Sequence, residues 1–165
     1  MEKETESALQ MAQQILGELL RLMGIEANII PSNDFPVDAG DGIVDFPSLN
    51  IEGEDLGILI GRRGQTLASL QYMVRLILSQ RMDEKIPVIV DVEGYKRRRY
   101  ESLRVLANRI AEQVRTRKRP FTLEPMPAFE RRIIHMTLAG HPDIVTESTG
   151  AGEARKVVVA NRKGY

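Results

Sequence analysis

The sequence predicts an α+β protein made of two small modules joined by a long helix. Three observations carry this. Apolar residues recur every three to four positions in the longer patterned stretches and alternate in shorter ones between them, the periods of helix and strand. A four-residue loop, Gly61-Arg62-Arg63-Gly64, separates an apolar run from a helical pattern. Charge is segregated: residues 1–55 hold 2 basic and 12 acidic side chains, residues 56–120 hold 15 and 6, and residues 121–165 hold 6 and 5.

In chain order, Ser7 to Met23 reads as a helix, with Leu9, Ala12, Ile15/Leu16, Leu19 and Leu22/Met23 on one stripe and Gly24 as its stop. Glu26 to Pro31 is a short strand. Ser32 to Gly42, rich in Asp, Asn, Pro and Gly, is a loop. Ile43 to Ile51 alternates imperfectly and reads as an edge strand, since it contains Pro47. Glu52 to Ile60 is a short helix. After the glycine loop, Gln65 to Gln80 is a longer helix with the stripe Leu67, Leu70, Val74, Ile77/Leu78. Lys85 to Val92 alternates as a strand. Tyr95 to Lys118 is the long helix, apolar along Leu103, Leu106, Ile110 and Val114 and ended by Pro120. Phe121 to Leu123 is a short strand. A last helix opens at Pro127 and closes at Gly140, with Pro142 beyond it. Its apolar sector holds Phe129, Ile133, Ile134, Met136 and Leu138.

Composition removes several function classes. There is no cysteine, hence no disulfide and no thiolate metal site. Asp34, Asp38, Asp41 and Asp45 lack calcium-loop spacing, so no metal or other cofactor is expected. No apolar run approaches a membrane span of about 20 residues, and no basic-then-apolar leader opens the chain; the expected setting is the cytoplasm, without membrane insertion. With two histidines and no nucleophile motif, metal set or nucleotide loop, a binding protein is expected rather than an enzyme. Four Phe, four Tyr and no Trp argue against a reader built on rows of stacked aromatics.

The net charge is zero, yet the middle third is strongly basic, as expected of a polyanion-binding surface. The alternative is that the acidic and basic thirds neutralise each other in the fold. In the loop, Gly61 and Gly64 allow a sharp bend and close approach, the following helix presents unpaired N–H groups, and Arg62 and Arg63 add positive charge. No Lys-Ser or Lys-Thr follows Gly64, so this is not a P-loop. On the long helix, Arg97, Arg104 and Arg115 fall on one flank of the polar side and Arg98 and Arg109 on the other, with Glu101 and Glu112 as the helix's only acids. In the last helix, with Phe129 at 0°, Arg131 and His135 fall at about 200° and 240°, one turn apart and off the apolar sector.

The run Leu59 to Leu67, with Leu70-Gln71-Tyr72 behind it, resembles the signature of a KH domain, and the order of elements resembles its type II form. That resemblance implies a GxxG loop clamping the backbone of about four nucleotides, with bases in an apolar groove around Ile58, Ile60 and Leu67. Downstream, Arg131 and His135 with three residues between them, the turn Ser148 to Glu153, and the strand from Arg155 resemble the R-three-H domain, a small binder of single-stranded nucleic acid. A KH module over residues 4–94 followed by an R-three-H module over 95–163, which includes the long helix, is similar to the Jag family, the SpoIIIJ-associated proteins. Many members carry a further N-terminal Jag-N domain and linker, which this sequence is read as lacking.

The resemblance implies single-stranded RNA binding in the bacterial cytoplasm, post-transcriptional regulation linked to cell elongation and division, and in some members a small KH-only partner protein. The residues expected to meet the strand are Gly61, Arg62, Arg63, Gly64, Ile58, Ile60, Leu67, Arg97, Arg104, Arg131, His135 and Arg155. Single-stranded DNA remains an alternative ligand, and a protein-interaction role for the basic helix an alternative function. If Arg131 and His135 share a phosphate, binding is expected to strengthen as pH falls through 6–7.

Overall fold

The computed structural model describes residues 2–32, 36–38, 43–45, 47–82 and 87–162, within two compact units, Met1–Lys96 and Arg97–Tyr165. The first unit runs α1 (Glu2–Leu22), β1 (Asn28–Ser32), β2 (Pro36–Asp38), β3 (Ile43–Asp45), β4 (Ser48–Glu52), α2 (Gly57–Ile60), a 3-10 turn (Arg62–Gly64), α3 (Gln65–Arg81) and β5 (Ile89–Val92). Its sheet has the order β1-β4-β5, with β4 antiparallel to β1 and parallel to β5. The short strands β2 and β3 pair with each other as a separate hairpin.

Helical spacing explains what packs where. Ala8, Ala12, Ile15, Leu16 and Leu20 of α1 and Leu67, Leu70, Val74 and Leu78 of α3 are buried with Leu49, Ile51, Val88, Val90 and Val92 of the sheet region. Gly24 takes φ +70. Its N–H donates to Arg21 at 3.0 Å and that of Ile25 to Leu20 at 2.9 Å, the paired bonds of a left-handed helix stop. The helix has therefore ended where the sequence stripe would continue, and Leu22 and Met23 stand 69% and 50% exposed.

Several expectations are corrected. Pro47, which has no N–H to give a ladder, splits Ile43–Ile51 into β3 and β4, and β4 is the central strand rather than an edge. The expected loop contains β2. Glu52 ends β4 opposite Asn28, so the helix expected from Glu52 is reduced to α2. The strand expected from Lys85 begins at Ile89, with residues 83–86 outside those described. The side chains of Asp34, Asp38, Asp41 and Asp45 also lie outside the described residues.

Both outer strands of this sheet are occupied by side chains. Gln13 of α1 donates to the Ile29 carbonyl at 2.9 Å, and β1 carries Pro31. On the other side, Val90 N–H donates to Gln71 Oε1 at 3.1 Å and Arg75 Nε donates to the Val88 carbonyl at 2.9 Å. Asp91, although on β5, is only 4% exposed. Its carboxylate accepts from Val92 N–H at 2.8 Å and from Lys96 N–H at 3.2 Å, in the first turn of the next helix, where the helix dipole favours an anion. Lys96 Nζ donates to Gln71. Burial lowers its pKa to about 8, against the opposing pull of Asp91.

The second unit is built on α4 (Tyr95–Arg117), whose first two residues belong to the first unit, followed by β6 (Phe121–Thr122), α5 (Ala128–Leu138), β7 (Ile144–Thr149), a 3-10 turn (Gly152–Ala154) and β8 (Lys156–Asn161). The sheet order is β6-β8-β7, all antiparallel. Leu103, Ala107, Ile110, Ala111 and Val114 of α4 pack with Ile134, Leu138, Ile144, Val157 and Val159. The buried face of α5 is Glu130, Ile134 and Leu138; Phe129 and Met136, expected in the core, are 39% and 44% exposed. Arg99 turns that face inward by donating from Nε and Nη2 to the two Glu130 oxygens at 2.8 and 2.9 Å. Phe129 instead packs on Tyr100, ring centroids 4.7 Å apart. Gly140 does not adopt the left-handed stop expected of it; Ala139 closes the helix in right-handed conformation, and Pro142 follows.

Asp91→Ala removes the acceptor of two backbone N–H groups and leaves Lys96 without its nearby anion. It is expected to lower the unfolding free energy by about 2 kcal/mol, read from urea denaturation of the full chain; an unchanged midpoint would show that the carboxylate holds nothing together.

Candidate nucleic-acid interface

The glycine loop is fixed by sterics. Gly61 has φ 69, ψ −173, and a Cβ there would lie 2.1 Å from Thr66 Oγ1. Gly64 has φ 78, and its Cβ would meet the Tyr95 ring at 2.8 Å. Neither contact is tolerable, so both positions require glycine for space as well as conformation. Arg63 between them sits at φ 53, ψ 31, left-handed for a residue with a side chain, at a cost of about 1 kcal/mol. Arg62 and Arg63 are exposed, and Gly64 directly precedes the first turn of the 17-residue α3 without any side-chain cap. The start of α3 and two guanidinium groups therefore lie at one exposed place, with Gly64 N–H donated to the Gly61 carbonyl at 3.4 Å and Gln65 N–H to that of Arg62.

The apolar residues expected beside the loop part company. Ile58 is 72% exposed on α2. Ile60 is partly buried against the core. Leu67 is 1% exposed and belongs to the core, so it cannot line an open groove. The reason is its place on the same stripe as Leu70, Val74 and Leu78.

In the second unit, Arg97 and Arg104 are exposed on α4. Arg155 is exposed, with Nη1 donating to the Gly150 carbonyl at 3.3 Å. Arg131 and His135 are partly exposed, and each already has partners within the unit. Arg131 Nη1 donates to the Met126 carbonyl at 2.8 Å. His135 has Nδ1 2.7 Å from Thr146 Oγ1 and Nε2 2.7 Å from Ser148 Oγ. The expectation that this ring reaches an external anion directly is corrected: both its nitrogens are engaged by β7. Burial first, and Arg131 second, hold its pKa below the usual histidine value. Thr146 was not singled out from the sequence, and Ser148, read as the start of a turn, lies in β7, although Ile144, Thr146 and Ser148 sit at strand spacing on one face and that alternation was there to be read.

Among the described residues no group of His, Asp and Glu could hold a metal ion, and no helix is long and apolar enough to cross a membrane.

Comparison with known proteins agrees with this division. Residues 47–92 match the KhpA/KhpB KH domain family and residues 101–161 the R-three-H domain family. The chain is 45% identical over 116 residues to the RNA-binding protein KhpB of Clostridium symbiosum, covering 70% of this chain and 52% of that protein. Against the RNA-binding protein KhpB of Bacillus subtilis it is 42% identical over 116 residues, 69% of this chain and 56% of that one. Against that of Lactiplantibacillus plantarum it is 32% identical over 158 residues, 96% of this chain and 46% of that one. The chain thus spans about half the length of these curated relatives. With a KhpA/KhpB-type KH domain followed by an R-three-H domain, the chain belongs to the Jag family, that of the proteins named KhpB.

Proposed function

We propose that the chain binds single-stranded RNA in the cytoplasm without catalysing a reaction, as a post-transcriptional regulator linked to cell elongation and division. The observation that carries the binding is the loop Gly61–Gly64, two exposed arginines on an uncapped helix start, between glycines where a Cβ would crowd Thr66 and Tyr95. The name of the relatives, RNA-binding protein KhpB, supports RNA as the ligand. Backbone contacts of this kind position a strand and leave sequence choice to few base contacts. Arg97, Arg104 and Arg155 add exposed positive charge, and Arg131 lies beside the His135 cluster.

A protein contact is the second reading. Tyr72, Met73 and Leu76 of α3 are 64%, 44% and 41% exposed, an apolar surface suited to a small KH-only partner protein. Leu76→Glu is expected to abolish co-elution with such a partner on gel filtration; co-elution unchanged would discard that surface.

Replacing Arg62 and Arg63 together by Asp sets negative charge against a phosphate and is expected to weaken RNA binding at least tenfold in fluorescence anisotropy, with the circular-dichroism spectrum retained. Full affinity in that folded variant would remove the loop from the function, and labelled RNA found cut after incubation with the wild type would overturn the non-catalytic reading.

For His135, the folded-state pKa lies below 6.5, so the unfolded chain binds the extra proton first. Stability is therefore present above the unfolded value and is lost as pH falls below about 6.5. The thermal midpoint is expected to drop between pH 7 and pH 5 by more in the wild type than in His135→Gln; parallel curves would show that the ring does not titrate against the fold. Any tightening of RNA binding by protonation is expected at a lower pH than an ordinary histidine would give.

A further inference from the structure

We propose that Thr146 and Ser148 form a sugar-reading pair that distinguishes RNA from DNA, with His135 as the positioning residue that sets their polarity. This rests on the single-strand reading above and gives it a chemical selectivity. The two hydroxyls are two residues apart on β7, on one face of the strand, and both residues are partly exposed. One ring holds both, at 2.7 Å on Nδ1 and 2.7 Å on Nε2.

A neutral imidazole carries one N–H and one lone pair. One hydroxyl therefore accepts from the ring and keeps its own proton to donate outward. The other donates to the ring and offers a ligand only lone pairs. Either tautomer gives the same result: one outward donor and one outward acceptor. Burial and the neighbouring Arg131 disfavour the doubly protonated ring, which would make both hydroxyls outward donors.

A phosphodiester offers acceptors alone. A DNA backbone satisfies the donor hydroxyl and leaves the acceptor facing no proton. A ribonucleotide sets a 2′-hydroxyl, donor and acceptor in one group, close to its phosphate. The phosphate oxygen then takes the donor and the 2′-hydroxyl gives its proton to the acceptor. A free hydroxyl on an unattached side chain could rotate to donate to either strand; the ring removes that freedom.

The test uses the full chain and one mixed sequence made as RNA, as DNA and as 2′-O-methyl RNA, which lacks only the sugar proton. Dissociation constants are measured by anisotropy. Wild type is expected to prefer RNA to both others. In Thr146→Val with Ser148→Ala the preference should shrink by roughly fivefold, the worth of one hydrogen bond, because RNA loses two contacts and DNA one; in His135→Ala it should shrink as well, because the freed hydroxyls can both donate to DNA. If circular dichroism finds the double variant unfolded, Thr146→Val and Ser148→Ala are measured singly, and whichever removes the outward acceptor gives the same loss of preference. An unchanged ratio in the folded variants, or 2′-O-methyl RNA bound as tightly as RNA, overturns the pair while leaving single-strand binding intact. Wild type that binds none of the three strands sinks the single-strand reading, and this inference with it.

Discussion

Leu67 ties an exposed, charged loop to the interior of the first unit. It lies in the first turn of α3, just beyond Gly64, and is 1% exposed. Burying a leucine side chain contributes about 2 kcal/mol, more than the roughly 1 kcal/mol that left-handed backbone costs at Arg63. The helix start is thus pinned from behind, and the strained turn in front of it persists. The Tyr95 ring closes the other side, where a Cβ at Gly64 would come within 2.8 Å of it. A bend held between a core leucine and an aromatic ring has its shape set by the fold itself.

Much of this was legible in the sequence because it follows from short-range periodicity. The stripe of α3 and the length of α4 came directly from spacing. So did the exposed loop arginines. What was not legible depends on partners far along the chain. Glu130 is buried because Arg99, on another helix, claims both its oxygens, a pairing that no local spacing shows. His135 reads as outward-facing until β7 supplies Thr146 and Ser148. Leu67 was placed in a groove by family analogy, although its own stripe already assigned it to the core. The strand β2 is three residues long, too short for alternation to be seen above its turn-rich surroundings.

Charge segregation has a structural side as well. The ion pairs Glu18–Arg21 and Glu112–Arg115 each lie within one turn of one helix and on the surface, where such pairs contribute little. They balance charge locally, within single helices. Arg99 and Arg75 are differently employed, one on a buried carboxylate and one on a strand carbonyl. Arginines held inside the fold and arginines exposed at its surface therefore coexist, and burial tells them apart.

The side chains on the outer strands have a further consequence. A bare strand edge templates its own kind, and at high concentration one molecule can extend the sheet of the next without end. Here a newcomer would first have to displace Gln13 from β1, where Pro31 denies it a further bond, or Gln71 and Arg75 from β5. The outer strands of this sheet are therefore reserved for their own fold.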